Sequence, residues 1–217
     1  MEFDWRKYDR DTFEMYISEI RSYAESVEKL LLEHSREFER NAPGPPPGIS
    51  KEAQWTYWEN YAGDLDELQR KFPKILRYSL FVHSYSLFES RLMYIAKYYQ
   101  KTRNLKLSPS DLQDKGIKQA QVYLKKFVSI PFPDEGGSAW QEISTLDIIR
   151  NMIVHNEGKL PQKDEKNFKL IEDFAKKWHG DISTEYSDIE LHKTFVFRVL
   201  KTFHTFFKEL FTNLPSE

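Results

Sequence analysis

The sequence predicts an all-α protein, an antiparallel helical bundle with a short β-hairpin before its last helix. Three observations carry that expectation. Apolar residues recur three and four positions apart through most of the chain, the period of one helix face. Proline and glycine gather in two short stretches, 41–50 and 130–137, with long uninterrupted runs between them. Period-two alternation, the mark of a strand, is confined to Asp181–His192.

In chain order, Asp11–Glu39 reads as a long helix. Phe13, Tyr16, Ile17, Ile20, Tyr23, Ala24, Val27, Leu30 and Leu31 would face inward, with charged residues on the other side. The stretch 41–50, NAPGPPPGIS, ends it as a stiff connector poor in hydrogen bonds. Trp55, Tyr57, Trp58 and Tyr61 follow within seven residues. They could stack on bases, but such spacing more often plugs a core edge. Asp64–Phe72 reads as a short helix, and Pro73 suits the first turn of the next, about Lys74 to Gln100. There Glu89 sits among Val82, Tyr85, Leu92, Met93 and Ala96, where apolar side chains belong; Arg91, Tyr94, Lys97, Tyr98 and Lys101 could add basic and aromatic surface near one end.

Ser108-Pro109-Ser110-Asp111 is a helix start, opening a helix to about Val128 with Gly116 as a break. Lys115, Lys118, Lys125 and Lys126 on it are the candidates for a phosphate-facing patch, a solvated lysine face being the plainer reading. The loop 130–137 leads into Ser138–Gly158, bounded by Ser138 as N-cap, Gln141 completing a capping box, and Asn156 and Gly158 as the stop. Pro161–Trp178 is amphipathic, Asp181–His192 suits the hairpin, and the phenylalanine-rich Lys193–Asn213 must be buried to close the bundle.

Composition narrows function. The chain has 217 residues, which divide into a helical extension with its proline-rich connector (1–62) and a helical domain (63–217), packed as one unit. A net charge of −2 supplies no global basic field, so any RNA contact must be a local patch. The lack of cysteine excludes disulfides, thiol catalysis and thiolate metal sites. No run nears the roughly 20 apolar residues of a membrane span, and MEFDWRKYDR has no apolar signal core, so a cytoplasmic protein is expected. His179, His192 and His204 are too scattered for a metal site and no glycine-rich phosphate loop occurs, so neither metal nor cofactor is expected.

The chemistry concentrates in Arg150-Asn151-Met152-Ile153-Val154-His155. At about 100° per residue, Arg150 projects amid Ile143, Leu146, Ile149, Ile153 and Val154. Ile148 and Met152 form a second apolar patch opposite, as in a helix buried on both sides. A cation there is costly unless it is paired or faces a polar site. Glu89 is the matching misplaced anion, so the two should lie together, in one chain or across two. A buried structural pair is one reading. Arg, Asn and His together also suit a phosphodiester, the first holding the phosphate and the last moving the proton. Residues five apart lie about 140° from each other on a helix, however. Arg150 and His155 converge only if the helix loosens near Asn156 or a second copy contributes.

R-N-x-x-x-H near the end of an apolar helix, followed by Gly, resembles the signature of the HEPN superfamily, over about residues 70–215. The resemblance implies an all-helical domain and a metal-independent ribonuclease of toxin–antitoxin, abortive-infection or antiviral systems. It also implies a homodimer whose paired motif helices form a composite cleft. Arg150 matches the motif arginine, Asn151 the polar residue after it and His155 the histidine; Glu89 matches an acidic residue with an orienting role. RNA would be the substrate, and an antitoxin or regulatory protein the restraint. The rivals are a non-catalytic helical module binding a nucleotide, RNA or protein, and a purely structural dimer.

Overall fold

Capping chemistry sets where the first helix begins. The Asp4 carboxylate accepts from the backbone N–H groups of Arg6 and Lys7, and α1 runs from Trp5 to Arg40, starting six residues before the expected Asp11. The Lys7 N–H is the largest influence holding the Asp4 carboxyl below its usual range. The computed structural model describes residues 4–133, 138–162 and 166–215. After α1 come α2 (Lys51–Asp66), α3 (Phe72–Thr102), α4 (Gly116–Lys126), α5 (Ser138–Asn156) and α6 (Lys166–Lys177). A two-stranded antiparallel sheet, β1 (Ile182–Ser183) with β2 (Glu190–Leu191), precedes α7 (Phe195–Asn213). Among the described residues no helix is long and apolar enough to cross a membrane.

α3 runs through the middle, touching α1, α4, α5 and α7. Its Phe81, Tyr85, Phe88, Leu92, Ile95 and Tyr99 are buried, at helical spacing. Phe88 packs on Phe203, Phe207 and Phe206 of α7, with ring centroids 4.4, 5.0 and 5.4 Å away. α1 delivers Phe13, Ile17, Ile20 and Ala24 to the same core. Tyr16, Tyr23 and Leu30, expected inward, are exposed. They fall outside the narrower stripe that α1 buries against α3 and α7.

Three further expectations change. The aromatic stretch 55–61 does not plug a core edge, for it lies on α2, in which no residue is buried. Asp64–Phe72 is no separate helix: α2 continues through a π-helical turn, Glu67–Lys71, into α3. Pro73 lacks the N–H that would bond to Gln69 and its ring crowds that carbonyl, so the ladder shifts just ahead of it. The expected helix from Ser108 is split. Ser108 caps a single 3₁₀ turn, Pro109–Asp111, and α4 begins only at Gly116, whose φ of +61° cannot lie inside a helix. The expected Ser138 cap and residues 134–137 of the preceding loop lie outside the described side chains and residues, as do 163–165 before α6.

Asp9 of α1 is ion-paired with Arg91 of α3; their side chains are 2% and 14% exposed. Asp9 Oδ2 has no hydrogen-bond partner. Burial pushes this carboxyl above its usual 3.8, and Arg91 offsets the rise only in part. The folded chain therefore keeps the Asp9 proton at pH values where the unfolded chain has released it. The stability this carboxyl contributes is greatest below 3.8 and declines as pH rises through the folded value. In urea melts over the acid range, the stability of the parent relative to Asp9→Asn should fall with rising pH; a flat difference would contradict this.

Candidate functional site

α5 buries Trp140, Ile143, Leu146, Ile149 and Ile153 against α3, α6 and α7. On the helix wheel Arg150 falls between Ile143 and Leu146 of this stripe and is half-buried, whereas Val154, expected within it, is exposed. α3 crosses α5 beside Arg150, bringing Glu89 and Tyr85 to it.

Arg150 Nη2 lies 3.8 Å from Glu89 Oε2 in the same chain, and the two side chains are 26% and 31% exposed. Nη1 donates to Asn151 Oδ1 at 2.8 Å. The guanidinium carbon sits 5.8 Å from the centroid of the Tyr85 ring. Nε is buried with no hydrogen-bond partner. The cation is thus fixed in place with most of its donors unspent.

Tyr85, which sequence reasoning counted only among the apolar neighbours of Glu89, is the floor of the site. Burial first, then the nearby Asp147 and Glu89 carboxylates, push its phenol well above the usual range, with Arg150 acting the other way. The hydroxyl stays protonated. Asp147 acts on it at close range, yet the geometry closes no hydrogen bond, and the oxygen is without a partner.

Gly116, at the start of α4, is the other missed residue. A Cβ built on it would stand 3.1 Å from Glu89 Oε1, so its lack of a side chain lets α4 close on that carboxylate. The only sequence signal was the break it introduces. Beside it, Glu89, Ser90, Met93, Tyr94, Lys97 and Gln119 line a cleft of about 440 Å³. Tyr94 and Lys97 therefore do add basic and aromatic surface next to the site. Arg91 and Tyr98 do not, one being committed to Asp9 and the other packed on Trp5.

His155 is exposed on the last turn of α5, and no hydrogen bond or ion pair joins it to Arg150. Asn151, four residues before it, shares its side of the helix. The Asn151 oxygen is bound to Arg150, leaving its amide N–H groups for another acceptor. The run Arg150–Asn151–His155 spans about 7.5 Å of helix axis. The helix does not loosen at Asn156. Glu157 and Gly158 take the left-handed conformation (φ +56° and +79°), and the Gly158 N–H bonds to the Met152 carbonyl at 3.0 Å, closing the helix.

The four lysines do not form one patch. Lys115 precedes α4 beside the Glu89 cleft, and Lys118 pairs with Asp114 at 3.7 Å. Lys125 and Lys126 lie at the far end of the helix, about 15 Å along its axis. Among the described residues, no group of three His, Asp or Glu is placed to hold a metal ion. Comparison with protein-family models, curated proteins and solved structures gives no match, so the motif resemblance stands on Arg150, Asn151, His155 and their helix alone.

Proposed function

We propose that the chain is a metal-independent endoribonuclease of HEPN type, acting as a homodimer in a toxin-like or antiviral role. One observation carries the reading: an oriented guanidinium, a quarter exposed, that spends one Nη1 N–H on Asn151 and whose counter-ion stands off at 3.8 Å, leaving other Nη N–H groups to a ligand. Such a group is ready to receive phosphate oxygens bidentately. The RNA 2′-hydroxyl attacks the adjacent phosphorus, losing its proton to a base, and the 5′-oxygen departs with a proton. The products are a 2′,3′-cyclic phosphate and a 5′-hydroxyl. His155 carries the proton, Arg150 neutralises the charge growing on the phosphorane, and Asn151 positions the phosphate. Glu89 holds Arg150, and Lys115 is the lysine best placed to guide the strand.

Because His155 and Arg150 diverge on one helix, the complete site takes its histidine from a second copy. Incubating the purified chain with RNA in EDTA tests the reading. Expected are fragments with 2′,3′-cyclic phosphate ends; intact RNA at every protein concentration would reject it.

The second reading, a non-catalytic binding module with a structural Glu89–Arg150 pair, is favoured by one feature. Among the described residues no hydrogen bond orients the exposed His155 ring, as a working proton carrier requires.

A further inference from the structure

A second cavity, of about 460 Å³, opens between the last turns of α1, the 41–50 loop and α2. None of its residues belongs to the Arg150 site. Phe38, Tyr57 and Tyr61 form its aromatic walls, and Glu37 and Asp64 bring carboxylates to it. The walls are built. Tyr61 stacks on Phe38 at 5.0 Å with the rings 12° from parallel, and the Tyr57 hydroxyl donates to the Pro43 carbonyl, tying the loop to α2. Gln69 anchors the base of the hairpin through Ser35 and Glu39.

Three features favour one kind of occupant. Aromatic faces attract cations. Neither Glu37 nor Asp64 is ion-paired among the described residues. The cavity also takes in the C-terminal end of α1, the negative end of a helix dipole. The surroundings agree in sign: residues 33–66 hold seven carboxylates against three cations, a net of −4. That charge repels a nucleic-acid strand, which rules against base stacking here. The surface continues onto Trp55 and Trp58 of α2, 65% and 47% exposed, so the occupant is wider than one small ion.

We propose that this hairpin docks a basic segment of a protein partner, an arginine or lysine side chain entering between the aromatic walls and the Glu37 and Asp64 carboxylates. The test uses the full chain and a short capped glycine–arginine peptide, with its citrulline counterpart as the uncharged control. Calorimetry should give binding at sub-millimolar affinity, at least about tenfold weaker for citrulline. Bound peptide should shield Trp55 and Trp58 from acrylamide quenching. The isosteric pair Glu37→Gln and Asp64→Asn, both on exposed side chains, should weaken binding about tenfold with helicity unchanged. Any one of four results would overturn the proposal. These are absence of peptide binding, equal binding by the double variant, guanidinium ion alone matching the peptide, and protection of the two tryptophans by an RNA oligomer instead.

Discussion

Replacing His155 by alanine should lower RNA cleavage about 10²–10⁴-fold, the range a positioned proton carrier contributes, and leave the melting temperature where it was. The side chain is exposed and packs on nothing that the fold needs. Arg150→Met should be as damaging to cleavage, with a small cost in stability. Its ion pair with Glu89 is partly exposed and 3.8 Å long, a class worth about 0–1 kcal/mol. A buried structural pair would lose about 3–5 kcal/mol when one partner goes. Cleavage assays and urea melts on the same two variants therefore separate the readings. Mixing inactive Arg150→Met with inactive His155→Ala should restore part of the activity if two copies share one site. A mixture as inactive as its components would remove the shared site.

The charges made the site legible. A glutamate and an arginine each placed among apolar residues are rare enough to seek each other, and one pair of helices brings them together. The C-terminal bound of α5 was readable for a similar reason, since Gly158 follows it in the left-handed conformation and its interior holds no residue that breaks a helix. What stayed hidden depends on packing partners. Tyr85 is as apolar by pattern as Phe81 or Phe88, and only the crossing of α3 and α5 turns its ring toward a cation. The aromatics of α2 have the composition of a core, yet none is buried: Tyr61 meets only Phe38 at the end of α1, and Trp55 and Trp58 lie in solvent. Periodicity says that a face exists, not that the fold supplies a cover. Asp9 was unreadable for the opposite reason, being a charge buried within an ordinary polar-looking stretch and paired 82 residues away.

Gly158→Ala should destabilise the chain by about 3 kcal/mol and displace the end of α5. The position has φ +79°, where a side chain costs about 1–2 kcal/mol. The new methyl would also press on Tyr78, standing 2.8 Å from its Cζ, closer than carbon atoms settle. Tyr78 cannot yield freely. Its hydroxyl donates to the Ile189 carbonyl, and burial with Asp188 and Glu190 nearby pushes its phenol up, so it remains a donor. Moving it opens that bond at a cost of about 1–3 kcal/mol. It also disturbs the bond from the Ile189 N–H to the Gly158 carbonyl, 2.8 Å, which ties the end of α5 to the hairpin. Thermal melts should fall by about 10 °C for a chain of this size. Tyr78→Phe in the same background should recover part of the loss, because it removes the hydroxyl nearest the methyl. If the double variant is no more stable than Gly158→Ala alone, the strain lies in the backbone and not in the contact. Because His155 sits only three residues earlier, cleavage should fall further than the lost folded fraction explains. A decline in proportion would mean that the geometry of this helix end is irrelevant to the chemistry.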